Sequence, residues 1–108
     1  MNTRLVAPLA LAASLALVAF AAEASPQTEA AMDKAGCLAC HAKDKKIIGP
    51  SFKDVATKYK GQDVAAKLMD KVRKGGSGVF GPVPMAATGP DKISDADLKA
   101  AIELMLKS

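Results

Sequence analysis

Five consecutive residues, Cys37-Leu38-Ala39-Cys40-His41, constrain this chain more than any other feature. Two cysteines separated by two residues and followed at once by histidine form the attachment signature of c-type haem, in which both thiols add to the vinyl groups as thioethers. One short turn can present both sulfurs to the same edge of a porphyrin, and the next residue then reaches the iron from one face. On that reading Cys37 and Cys40 hold haem c covalently and His41 is the proximal axial ligand. The same cysteine pair also suits a disulfide, a thioredoxin-like dithiol or half of a zinc site. None of these needs the adjacent histidine. A zinc site wants four protein ligands, and the chain has no third cysteine and no second histidine.

The N-terminus carries Arg4 and then the uncharged, largely apolar run Leu9 to Ala22, ending in Ala22-Glu23-Ala24. A basic start, a short hydrophobic stretch and a small-x-small end describe a secretory signal peptide over residues 1–24. The run is shorter than the roughly 20 apolar residues a membrane helix needs, and an uncleaved anchor would lack its charged stop-transfer flank. Cleavage leaves a mature domain of residues 25–108, starting at Ser25. Export suits the motif, because covalent haem attachment needs reduced thiols and dedicated machinery outside the bacterial cytoplasm. The expected location is the periplasm.

A chain this short is thin for an unaided core, and its mature part has only Phe52, Tyr59 and Phe80 as aromatic side chains. A large apolar cofactor at the centre would explain how it folds. Four helices are expected around that cofactor. The first follows Pro26, carries Ala31, Met32 and Ala35 at helical spacing, and stops at Gly36. The second is capped by Ser51 with Asp54 three residues on, and Phe52, Val55, Ala56 and Tyr59 form its apolar stripe up to Gly61. Ala65, Leu68, Met69 and Val72 mark the third. Ser94 with Asp97 caps the last, whose apolar face is Leu98, Ala101, Ile102 and Met105.

Between the last two helices the composition changes abruptly. Eight of the sixteen residues from Gly75 to Pro90 are glycine or proline, which disfavours helix and sheet alike. Irregular segments of this length in small domains are functional or disordered, and Val79, Phe80, Val83 and Met85 argue against disorder. This segment also holds the best candidate for a sixth iron ligand. Met32, Met69 and Met105 fall on apolar helix stripes, where methionine is an ordinary core filler. Met85 follows Pro84 in the loop, where an extended backbone can aim its thioether at a haem face. Ligation by His41 and Met85 leaves no open iron position and so favours electron transfer over oxygen or peroxide chemistry.

Gly36 to His41, Ile48-Gly49-Pro50, Phe52 to Ala56 and Gly78-Val79-Phe80-Gly81-Pro82-Val83-Pro84-Met85 together resemble the short monohaem class I bacterial cytochromes c of the c-551/c-552 type. The resemblance implies an all-α domain, a small class I cytochrome c fold in which the first and last helices cross beside the haem. It also implies that the Pro50 carbonyl accepts a hydrogen bond from His41 Nδ1 and fixes the ring. Two departures stand out. The family has a tryptophan where Phe80 stands and an arginine where Lys71 stands, both on the haem propionate side, and phenylalanine cannot donate. Thr88 occupies the place of an asparagine that bonds the methionine sulfur, so a threonine hydroxyl would have to serve Met85 instead.

Charge bears on partners. Residues 43–74 hold ten lysines and arginines against four aspartates, a balance of +6, while residues 25–42 and 91–108 each carry −1. Any one lysine belongs to an ordinary solvated helix face, but as a group they suit steering toward an acidic protein. Lys43, Lys45 and Lys46 are the leading steering candidates. Nucleic acid is a poor alternative because aromatic platforms and binding motifs are missing. By resemblance the chain is a periplasmic electron carrier, a monomer and not an enzyme. Its partners would be redox proteins: a quinol-oxidising complex or other donor, and a terminal oxidase or reductase as acceptor. An open-site haem enzyme or gas sensor needs distal acid/base groups that a chain with one histidine lacks, and a haem subunit of a larger oxidoreductase is the third class.

Overall fold

In the computed structural model Pro26 opens α1 (Pro26–Lys34), a position where its missing N–H leaves no bond unmade. The described residues are 26–108 together with Pro8, Ala10, Ala12, Ala13 and Ser14. The expected basic start at Arg4, the cleavage segment Ala22-Glu23-Ala24 and the mature start at Ser25 lie outside them. α1 ends one turn short of the motif, and Gly36 then takes φ of +86°, a backbone region that side-chain-bearing residues avoid. That turn redirects the chain into a four-residue helix, α2 (Cys37–Cys40). The described residues therefore form five helices rather than four, because the haem motif is itself a helical turn.

Local capping defines the next elements. Ser51 Oγ accepts from the Asp54 N–H at 3.0 Å to start α3 (Phe52–Lys58). Gly61 supports the turn that follows, and α4 (Ala65–Lys74) ends at Gly75. Ser94 Oγ accepts from the Asp97 N–H at 3.2 Å to start α5 (Asp95–Leu106). Both serines satisfy one of the N–H groups that a helix start leaves without an internal partner.

α5 is the hub, packed against α1, α3 and α4. Its buried Leu98, Ala101 and Ile102 meet Met32 from α1, Phe52 and Val55 from α3, and Leu68 from α4. Tyr59, Val64 and Ile93 complete this core from the helix ends and the loop. The expected stripes thus face one another, and Met32 and Met69 sit within or against the core as fillers. Among the described residues no helix is long and apolar enough to cross a membrane.

The segment between α4 and α5 is irregular but tied. Gly76 and Met85 exchange both backbone hydrogen bonds, at 3.0 and 2.9 Å, and Gly78 N–H donates to the Gly81 carbonyl at 2.8 Å inside the resulting loop. Gly75 has φ of +68°, and a Cβ there would fall 2.5 Å from the Met85 carbonyl oxygen and 2.7 Å from the Ala87 nitrogen. Only glycine meets both demands. Thr88 N–H then donates to the Val72 carbonyl at 2.9 Å, returning the chain to α4.

Candidate haem site

α2 places Cys37 and Cys40 three residues apart on one helical turn, a spacing that brings two side chains to the same face. Both are half-buried free thiols. Burial pushes the Cys37 thiol above its ordinary range; a backbone hydrogen bond opposes that shift and Cys40 alongside adds to it. The chain leaves α2 extended at His41, whose N–H still donates to the Cys37 carbonyl at 3.0 Å. Gly49 N–H then donates to the Cys40 carbonyl at 2.8 Å, and Phe52 N–H to the Ala42 carbonyl at 2.9 Å. The intervening lysine-bearing loop is folded back on the motif.

That fold-back delivers Pro50 to His41. The imidazole Nδ1 lies 2.7 Å from the Pro50 carbonyl, which can only accept, so Nδ1 carries a proton and the neutral ring is held in the tautomer whose lone pair is on Nε2. Phe52 stacks on the ring, with centroids 5.8 Å apart and planes inclined by 23°. On another side stands the Gly49 backbone, where a Cβ would come within 2.5 Å of His41 Cε1 and 2.8 Å of Nδ1. The ring is therefore held by a hydrogen bond, an aromatic face and a bare stretch of backbone. Local sequence offered no sign of the last constraint beyond the glycine itself.

Cys37, Cys40, His41, Pro50, Lys71, Phe80, Met85 and Thr88 all line one cavity of about 570 Å³. Its size lies within the range of roughly 300–1,000 Å³ typical of cofactor pockets. Ile48, Val79, Phe80 and Val83, large apolar side chains that the protein core does not cover, turn to it as well. The donor set and the walls match what haem c requires: two free thiols on one turn, an imidazole with an available nitrogen, a thioether, and an apolar lining with cations at its edge. Lys71 folds its ammonium toward Gly76, about 3.3 Å from where a Cβ would stand. Phe80 is covered by Lys58, whose Nζ lies 5.4 Å from the ring centroid. The hydrogen bonds of Thr88 run through its backbone, to Val72 and from Arg73 Nη1 at 3.1 Å.

Three features of the site are absent from the sequence reading. Met105, assigned to the core, also lines the cavity. Arg73, counted only as a surface charge, is one-fifth exposed and bonded to residues 15 to 22 positions away. Of the three proposed steering lysines only Lys46 lines the cavity; Lys43 and Lys45 are exposed in the adjacent loop, and Lys67 and Lys74 join the already expected Lys71 at the cavity edge from α4.

Comparison with known proteins agrees with this geometry. A model of the cytochrome c family matches residues 28–108. Cytochrome c2 of Rubrivivax gelatinosus is 53% identical over 76 residues, which span 69% of this chain and 89% of that protein. Cytochrome c-552 of Nitrosomonas europaea is 42% identical over 96 residues, 88% of each chain. The crystal structure of wild-type Nitrosomonas europaea cytochrome c552 superposes with a TM-score of 0.65 at 39% identity, covering 73% of this chain and 96% of the other. Matching family, relatives, all-α fold and haem-binding donors together make this chain a member of the cytochrome c family, a small class I cytochrome c that carries covalent haem c and transfers electrons.

Proposed function

We propose that the chain is a periplasmic carrier of single electrons, with haem c attached at Cys37 and Cys40 and ligated by His41 and Met85. When bound, the haem supplies a one-electron Fe(II)/Fe(III) couple. The observation that carries the reading is the convergence of both thiols, the His41 imidazole and the Met85 loop on a single apolar cavity. The Nδ1–Pro50 hydrogen bond supports His41 as the proximal ligand, since it sets the tautomer that leaves Nε2 free and raises its basicity. His41 and Met85 would together hold the iron with no position left open, and because a soft sulfur favours ferrous iron, the haem would supply a couple of raised potential and exclude small molecules. That is a carrier's site, not an enzyme's.

Lys71 is the cation placed to pair with a haem carboxylate on the side where Phe80 supplies apolar cover. Thr88 supports Met85 from the following residues of the loop. Residues 1–24 serve as the signal peptide, so the exported protein begins at Ser25, checkable by the intact mass of the secreted chain. Its partners are a quinol-oxidising complex or similar donor and a terminal oxidase or reductase as acceptor, met in brief encounters by a monomer.

The deciding experiment removes the thioether. Ferric haem ligated by methionine has a weak long-wavelength charge-transfer band, and Met85→Ala should abolish it, lower the midpoint potential and allow small exogenous ligands to bind. Met105→Ala is the informative comparison, because that side chain also reaches the cavity. A band lost in Met105→Ala but retained in Met85→Ala would assign the ligand to α5 instead.

A further inference from the structure

Arg73 stands in the last turn of α4, where a basic residue is unremarkable. Its guanidinium makes three hydrogen bonds, all to residues beyond the helix. Nη1 donates to the Thr88 carbonyl at 3.1 Å, and Nη2 donates to the Ile93 carbonyl at 3.0 Å and to Asp95 Oδ1 at 2.6 Å. The arginine side chain is 20% exposed and the aspartate 80%, so the ion pair is screened by water and the two sheltered carbonyl contacts dominate. The preceding residue acts on the same point, since the Val72 carbonyl accepts the Thr88 N–H at 2.9 Å. Thr88 is thus gripped through both its N–H and its carbonyl by two neighbouring residues of α4.

Thr88 lies three residues after Met85, and the two residues between them, Ala86 and Ala87, are exposed and have little side chain with which to anchor the backbone. The other hold on Met85 is its backbone pairing with Gly76. We propose that Arg73 is a positioning residue for the sixth iron ligand: its fork pins the return limb of the loop to α4 and so limits how often Met85 leaves the iron. The inference rests on Met85 being that ligand, as argued above. Lysine is a poor substitute, because its single ammonium nitrogen cannot reproduce the spacing of Nη1 and Nη2, which each hold a different carbonyl from one rigid plane.

An external ligand binds only to the fraction of molecules in which the Met85 thioether has swung away, so its apparent affinity rises with that fraction. In the exchange an iron–sulfur bond breaks and an iron–nitrogen bond forms, with no change of oxidation state. The ferric holoprotein is titrated with imidazole. Arg73→Lys, which keeps the charge and loses the fork, should bind imidazole at least about tenfold more tightly than the parent, and Arg73→Gln at least as tightly again. Asp95→Asn should stay within about twofold, because an exposed ion pair contributes little. Lys99→Gln removes one charge from the exposed face of α5, away from the cavity, and Ile102→Val loosens the core away from the cavity wall. Both should match the parent. Parent-like affinity in Arg73→Lys overturns the proposal, as does equal tightening in Lys99→Gln or Ile102→Val, which would trace the effect to charge or to general destabilisation. Met85→Ala read in parallel separates the two ideas: loss of the long-wavelength band there upholds the ligand whatever the Arg73 variants do, and its persistence overturns both.

Discussion

His41 is set by its neighbours rather than by its own rotamer preference. The Pro50 carbonyl fixes one nitrogen, Phe52 lies against one face, and Gly49 leaves just enough room beside the ring. A methyl group at Gly49 would meet the imidazole at 2.5 Å, closer than carbon atoms can approach. Gly49→Ala should therefore tilt the ring or push the loop outward, stretching the hydrogen bond to Pro50. We expect a loss of about 1–3 kcal/mol in denaturant unfolding of the holoprotein, in line with overpacking elsewhere. The midpoint potential should shift as well, because the hydrogen bond that tunes the imidazole is disturbed. Unchanged stability and potential would mean that the ring moves aside freely and that its tight packing against Gly49 has no energetic consequence.

Among the elements, the two serine caps give a matched comparison. Ser51 and Ser94 each accept a hydrogen bond from the N–H of an aspartate three residues on, and each starts a helix that contributes to the core. Replacing a capping serine by alanine costs about 1 kcal/mol, with a range of roughly 0.5–2. Ser51 is 2% exposed and lies between Pro50 and Phe52, both of which touch His41, whereas Ser94 is exposed. Ser51→Ala should accordingly fall near the upper end of that range and Ser94→Ala near the lower. For a domain of this size 1 kcal/mol corresponds to roughly 4–8 °C in melting temperature, so calorimetry on the two holoproteins can tell them apart. Equal losses would indicate that shelter from water adds nothing to the Ser51 cap.

At the scale of the whole molecule, ten buried apolar residues among those described form a modest core, and the cavity beside it has a largely apolar wall. Haem c seated there would complete the interior. Charge is distributed with equal consequence: Lys46, Lys67, Lys71 and Lys74 border the cavity, and Lys43 and Lys45 extend the basic region into the adjacent loop. A carrier needs fast, short-lived encounters, and long-range attraction raises association rates without a large interface. Second-order electron transfer with an acidic redox protein should slow as salt is added, over a screening length of about 8 Å at physiological ionic strength. A Lys43/Lys45/Lys46→Gln triple variant should be slower at low salt and flatter in its salt dependence. Rates that rise with salt would place the contact on a like-charged or purely apolar surface.

Much of this was written locally in the chain. The haem motif is contiguous, the serine caps act over three residues, and the apolar stripes of α3, α4 and α5 repeat every three or four, so each is legible without knowing the fold. Met85 could be singled out because proline and glycine exclude helix around it. Even the extra helix, α2, differs from expectation only in that the motif's own turn is helical. The tertiary structure decided the rest. Arg73 finds Thr88, Ile93 and Asp95 at separations of 15, 20 and 22 residues, Met105 reaches the cavity as well as the core, and Gly49 matters because an imidazole eight residues earlier is folded against it. Such contacts depend on how α4, α5 and the loops cross in space, and no periodicity or capping rule along the chain encodes that crossing.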